Sequence, residues 1–191
     1  MGPAGEILDF WFGARGSPER GTLRFVWFTK DSAFDEEIRR RFGELHARVA
    51  RGELDDWQAA PESLLALVIV LDQFSRNLYR DDPRSWSQDE RALAFAKMAL
   101  ARGNDARIGP IERLFLYLPF EHSEMLEDQE RAVILMGSLE TFGETRGFAQ
   151  WAQKHREIVK RFGRFPHRNA ALGRASTPEE IEFLKQPGSR F

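Results

Sequence analysis

Residues 161–169, Arg161-Phe162-Gly163-Arg164-Phe165-Pro166-His167-Arg168-Asn169, interleave fixed cations with aromatic rings and carry one of the chain's four histidines. Guanidinium groups at that density suit three kinds of counterpart: an anionic ligand, a nucleic acid, or carboxylates of the same chain. A second constellation, Asp72-Gln73-Phe74-Ser75-Arg76-Asn77, sets Asp72 four residues before Arg76 and Gln73 four before Asn77. On a helix both pairs share a face. Their polar ends need partners or water, because each unpaired buried group costs ~1–3 kcal/mol. A third, Leu118-Pro119-Phe120-Glu121-His122-Ser123-Glu124, places an imidazole among carboxylates, an arrangement suited to proton transfer. Ser123 lacks the strand-turn-helix setting of a hydrolase nucleophile and is expected to cap a helix instead.

Helices must position these groups, since apolar residues recur at helical spacing and strand alternation is nearly missing. The first helix is expected over residues 5–12, ending at Gly13. The second starts with Ser32 as N-cap, with Asp35 three residues later. It carries Phe34, Ile38, Phe42, Leu45 and Val49 on one stripe and ends at Gly52. Pro61 opens a third helix through the eight-residue apolar run from Leu64 to Leu71 and on to Asn77; being apolar all round, it is the buried central one. A fourth opens at Ser87 or Asp89 and ends at Gly103. A fifth runs from Pro110 to Leu118, where Pro119 breaks or kinks it. A sixth spans residues 123–142 and a seventh residues 148–162, with Gly163 as its stop. Thr177-Pro178-Glu179-Glu180 is a capping box opening a short last helix to Leu184. On the seventh, Trp151, His155, Ile158 and Phe162 form one face, which turns His155 toward the core, while Arg156 and Lys160 lie opposite.

At 191 residues the chain is expected to form one domain over residues 1–191. Without cysteine there is no disulfide framework, thiolate metal site or cysteine nucleophile. No zinc or di-iron spacing, phosphate loop or dinucleotide fingerprint is present, so neither metal nor cofactor is expected. No apolar run approaches the ~20 residues of a membrane span, and no targeting segment is visible, which predicts a cytoplasmic protein that does not enter a membrane.

Net charge is −2, yet residues 154–174 hold seven Lys or Arg against the single acid Glu157. The acids Glu121, Glu124, Glu127, Asp128 and Glu130 are concentrated elsewhere. Mutual neutralisation of the two segments is the bland expectation. The slightly acidic balance also disfavours nucleic acid.

Four motifs occur together in order: Ile7-Leu8-Asp9-Phe10-Trp11-Phe12-Gly13, Leu71 to Asn77, Leu116 to Glu124, and Arg161 to Asn169. Leu172-Gly173-Arg174 and Ser176-Thr177-Pro178-Glu179-Glu180 follow. The whole chain thereby resembles the bacterial domain-of-unknown-function 924 family. That resemblance implies a TPR-like (tetratricopeptide-like) stack of antiparallel helical hairpins, seven to eight helices in all. It carries over no activity. Ser75 stands where proline is more usual in that family, which should ease the helix past Phe74.

The leading expectation is a binding module holding a peptide or small anionic ligand in a polar pocket. Its candidate lining is Asp72, Gln73, Arg76, Asn77, Glu124, Arg161, Arg164, Arg168 and Asn169. The alternative is a hydrolase-like enzyme using His122, His155 or His167 beside Glu121 or Asp72 for acid–base work in the same pocket. RNA binding through residues 161–169 is the weakest of the three.

Overall fold

Helix α1 (Pro3–Phe12) begins two residues earlier than expected, because Pro3 suits the first helical turn. In the computed structural model, which describes residues 2–189, the regular structure among the described residues is helical throughout, without strands. The later helices are α2 (Ser32–Ala50), α3 (Pro61–Val68), α4 (Ser75–Leu78), α5 (Asp89–Ala101), α6 (Pro110–His122), α7 (Leu126–Gly137), α8 (Phe148–Phe162) and α9 (Pro178–Leu184). A π-helical stretch, Ile69–Phe74, joins α3 to α4, so these three form one continuous rod.

That rod is the centre of the molecule. Every residue from Leu64 to Leu71 is at most 2% exposed. It packs against α1, α2, α5 and α6, while α5, α6, α7 and α8 pack each on the next along the chain. Trp11, Phe12, Phe42, Phe74 and Phe115 fill the main core. Ile158, Val159 and Phe165 form a smaller one, with Phe162 and Phe183 against it.

Local chemistry accounts for most boundaries. Gly163, at φ +70°, ends α8 in the left-handed region that glycine enters without steric cost. Thr177 caps α9 reciprocally with Glu180. Four expectations are corrected. Asp31, not Ser32, caps α2, its carboxylate accepting from the Ala33 and Phe34 amides; Asp35 is buried and paired with Arg80 instead of capping. Helix α6 runs on through Pro119 to His122. The missing amide and the ring clash cost ~3 kcal/mol, and burial of Leu118 and Phe120 on either side outweighs that. The expected 123–142 helix is only Leu126–Gly137; Ser123 closes α6, though its hydroxyl still accepts the Met125 amide. Trp151 is 48% exposed, and the buried face of α8 instead runs through Ala149, Ala152, His155, Ile158 and Val159.

The helix does pass Phe74, but through the widened π turn. There the Ser75 hydroxyl donates to the Leu71 carbonyl at 2.6 Å. That proton is thereby committed, so His46 Nε2 donates to Ser75 Oγ, 2.8 Å away.

The cap assignment is open to direct test. Asp31→Ala is expected to lower stability by ~1 kcal/mol in urea denaturation, and Ser32→Ala by less than ~0.5 kcal/mol. Equal losses would return the cap to Ser32.

Candidate functional site

The π turn, the C-terminal end of α6, the start of α5, the middle of α8 and the 166–168 turn bring their polar residues together. Asp72 lies on the π turn, fully buried. It accepts at Oδ1 from His122 Nδ1 at 2.7 Å and at Oδ2 from the Gln73 amide at 2.7 Å. Arg76, one turn on, reaches Asp72 Oδ1 at 3.2 Å and grips Asp89 on α5 with two bonds of 2.8 and 3.0 Å. The expected Asp72–Arg76 pair is therefore present.

Consecutive residues at the end of α6 point about 100° apart, and this splits the acidic motif. His122 turns to Asp72, while Glu121 turns to α8, where His155 Nδ1 lies 3.1 Å from its carboxyl. The same ring nitrogen is 2.9 Å from the Trp151 carbonyl, which requires the proton on Nδ1. Gln129 on α7 donates to the carbonyls of Glu121 and Ser123 and so pins the helix end.

The 166–168 turn (Pro166–Arg168) closes the cluster. Arg168 is buried between rings, 4.5 Å from the Phe165 centroid and 5.6 Å from that of Trp86. It donates to the His122 carbonyl at 3.0 Å and to Asp89 at 3.4 Å. Glu124 ties the turn down by accepting the Phe165 amide and a two-pronged contact from Arg174. His167 packs on Phe165, its ring centroid 5.6 Å away.

Other expected residues are engaged elsewhere. Asn77 donates to Asp35, beside Arg80, rather than to Gln73. Arg161 pairs with Glu179, and Arg164 with Glu180. Asn169 donates to Ser176 and Glu180 and accepts from Arg174. Within the basic segment, α9 thus answers Arg161 and Arg164, Asp89 answers Arg168, and Glu124 of the 121–130 acids answers Arg174.

Asp89 and Trp86 are site residues that the sequence reading missed. Asp89 reads as an ordinary first-turn acid of α5, and Trp86 as loop hydrophobe; only the approach of Arg76 and Arg168 gives them a role.

Burial works against every charge here, and the partners decide the outcome. For Asp72, Arg76 and the His122 and Gln73 hydrogen bonds outweigh burial and hold the carboxyl well below the usual range. Glu121 has no such help: burial, with the Asp72 charge adding, pushes it up to about 8. Burial lowers His155 to about 3 and His167 to about 4, with Arg168 contributing to both. His122 is lowered as well, by burial and then Arg76. At neutral pH Asp72 is therefore ionised, Glu121 a neutral carboxylic acid, and His122, His155 and His167 neutral imidazoles. Asp72 carries the charge, and His122 Nε2, opposite the Asp72 contact, makes no hydrogen bond among the described residues and can accept a proton. No group of three or more His, Asp or Glu positioned to hold a metal occurs among the described residues. Nor is any described helix long and apolar enough to cross a membrane.

An all-helical protein with a carboxylate-held histidine at a buried polar junction is the class that the fold and the cluster define. Residues 7–188 match the family model described as bacterial protein of unknown function (DUF924), and the chain belongs to that family. Its fold is shared with a solved protein of unknown function, ATU0120 from Agrobacterium tumefaciens. The two are 42% identical, the match covers 95% of this chain and 96% of the other, and the TM-score is 0.82. No curated protein matches the chain.

The shifted groups fix the direction of pH dependence. His46, lowered to about 4 by burial, joins His155 and His167 in binding a proton more weakly folded than unfolded. Their stabilising effect is complete above ~6.5, the unfolded imidazole value, and is lost as pH falls toward 4. Glu121 acts oppositely, its contribution fading as pH rises from ~4.3 through about 8. Three imidazoles outweigh one carboxyl below pH ~6.5, so the melting temperature is expected to be lower at pH 5 than at pH 6.5. A protein more stable at pH 5 would contradict these assignments.

Proposed function

We propose that the protein is an acid–base enzyme of hydrolase-like type, with His122 as general base and Asp72 as the group that orients it. One observation carries this reading: the 2.7 Å contact from His122 Nδ1 to a fully buried carboxylate. It sets the tautomer, directs Nε2 away from Asp72 and stabilises the imidazolium that forms when Nε2 takes a proton. Arg76, itself anchored by Asp89, holds Asp72 ionised and in place. The arginines favour this over simple anion capture, since each of Arg76, Arg168 and Arg174 already faces a carboxylate.

Binding of a peptide or small anion in a TPR-like stack is the second reading. It is supported by Arg168 Nε, a buried donor without a hydrogen-bond partner, which a ligand oxygen would satisfy.

The two readings part on a simple experiment. Purified protein is assayed against p-nitrophenyl esters, phosphates and amides, with His122→Gln and Asp72→Asn as variants. The first reading expects turnover that falls ~10²-fold or more in each variant and rises with pH through a value below the ordinary imidazole range. Turnover indifferent to His122 would overturn it. Absence of turnover together with stabilisation by phosphorylated compounds would favour the second reading.

A further inference from the structure

Among the described residues five acids are buried: Asp35, Asp72, Glu121, Asp128 and Glu180. Four of them have a fixed cation in contact, from Arg80, Arg76, Lys97 and Arg164 respectively. Glu121 is the exception. Its charged-pair contact is with an imidazole, His155, whose Nδ1 proton must also serve the Trp151 carbonyl. A buried carboxylate so placed has no permanent positive charge in contact among the described residues to compensate it. Its peptide neighbour is His122, the proposed base.

We propose that Glu121 enters the site as the uncharged carboxylic acid and acts as a positioning residue that sets the proton affinity of the Asp72–His122 pair. This deepens the acid–base reading and rests on it for its catalytic meaning. While His122 is neutral, the Asp72–His122 pair carries one negative charge, which holds the proton on Glu121. When His122 Nε2 takes a proton from a substrate, the pair becomes neutral and release of the Glu121 proton to solvent becomes easier. One proton enters at Nε2, one leaves the carboxyl, and the charge of the buried cluster is unchanged. The cost of creating a cation beside Arg76 and Arg168 is thereby offset.

The charged groups carried by the elements that meet this end of α6 fit this balance. Asp72 and Arg76 come from the π turn and α4, Asp89 from α5, and His155 from α8. Arg168 and His167 come from the 166–168 turn. Lys97 and Asp128 neutralise each other at 2.5 Å, and Glu124 and Arg174 do so at 2.6 Å. None of these cations contacts the Glu121 carboxyl.

The test is a pH titration of the intact, ligand-free chain labelled with ¹³C at glutamate side-chain carboxyls. Expected is a Glu121 resonance at the position of the protonated acid through pH 7, moving in a step near 8. A ring signal of His122 should move in the same step. In Asp72→Asn the step is expected at least one pH unit lower, because the charge that holds the proton is gone. A Glu121 step near ~4.3, the ordinary glutamate value, or a step unmoved by Asp72→Asn, would overturn the proposal. Glu121→Gln, which deletes the resonance, assigns it; through-bond assignment in the wild-type protein does the same if that variant fails to fold. The titration needs no substrate. A failed enzyme assay with a step near 8 sinks only the catalytic reading, whereas an ordinary Glu121 in an active enzyme sinks only this one.

Discussion

A carboxylate with no exposed surface, Asp72, sits at the end of the most apolar helix of the chain, and the neighbouring structure is organised around compensating it. An isolated charge there would cost far more than the marginal stability of a domain. Arg76 supplies the opposite charge, and His122 and Gln73 supply hydrogen bonds. Arg76 then needs a second acid, which α5 provides as Asp89. Asp89 in turn receives Arg168 from a turn 79 residues further along the chain. Through this one network α5, α6 and the 166–168 turn are joined to the central rod near its C-terminal end, while α2 is held there separately by Asp35 and His46.

The network also explains why two carboxyls 49 positions apart in sequence behave oppositely. Asp72 is surrounded by donors and a guanidinium, so burial fails to neutralise it. Glu121 is buried against the His155 imidazole and meets the field of Asp72 without a fixed cation in contact among the described residues. Environments that push neighbouring acids apart are how one site keeps an ionised and a protonated group at the same pH. The imidazoles, lowered by burial among fixed cations, complete a junction that is polar without being highly charged.

Some of this was legible in the chain. Pro61, Gly163 and the Thr177–Glu180 box mark helix ends through chemistry confined to a few residues, and the structure agrees there. Asp72 with Arg76 follows from helical spacing. Pro119 misled, because a local rule about proline was outweighed by packing of Leu118 and Phe120 on both sides. Ser32 misled for a smaller reason: Asp31, one residue earlier, is an equally good cap and has the geometry. Proximity in sequence groups Arg161 and Arg164 with the site, yet α9 folds back and takes both.

The sequence by itself determined the all-helical class, the buried central rod, the position of most helix ends and the residue types available for acid–base work, because spacing and capping act over one or two turns. Tertiary structure alone decided which of those residues meet. The separation of Glu121 from His122 by their angle on α6, the recruitment of Asp89 and Trp86, and the transfer of Arg161, Arg164 and Asn77 to other partners all depend on contacts across long stretches of chain. Charge pattern carries no direction in space. A guanidinium pairs with whichever carboxylate the packing of apolar surfaces brings within reach, and only the folded chain settles which one that is.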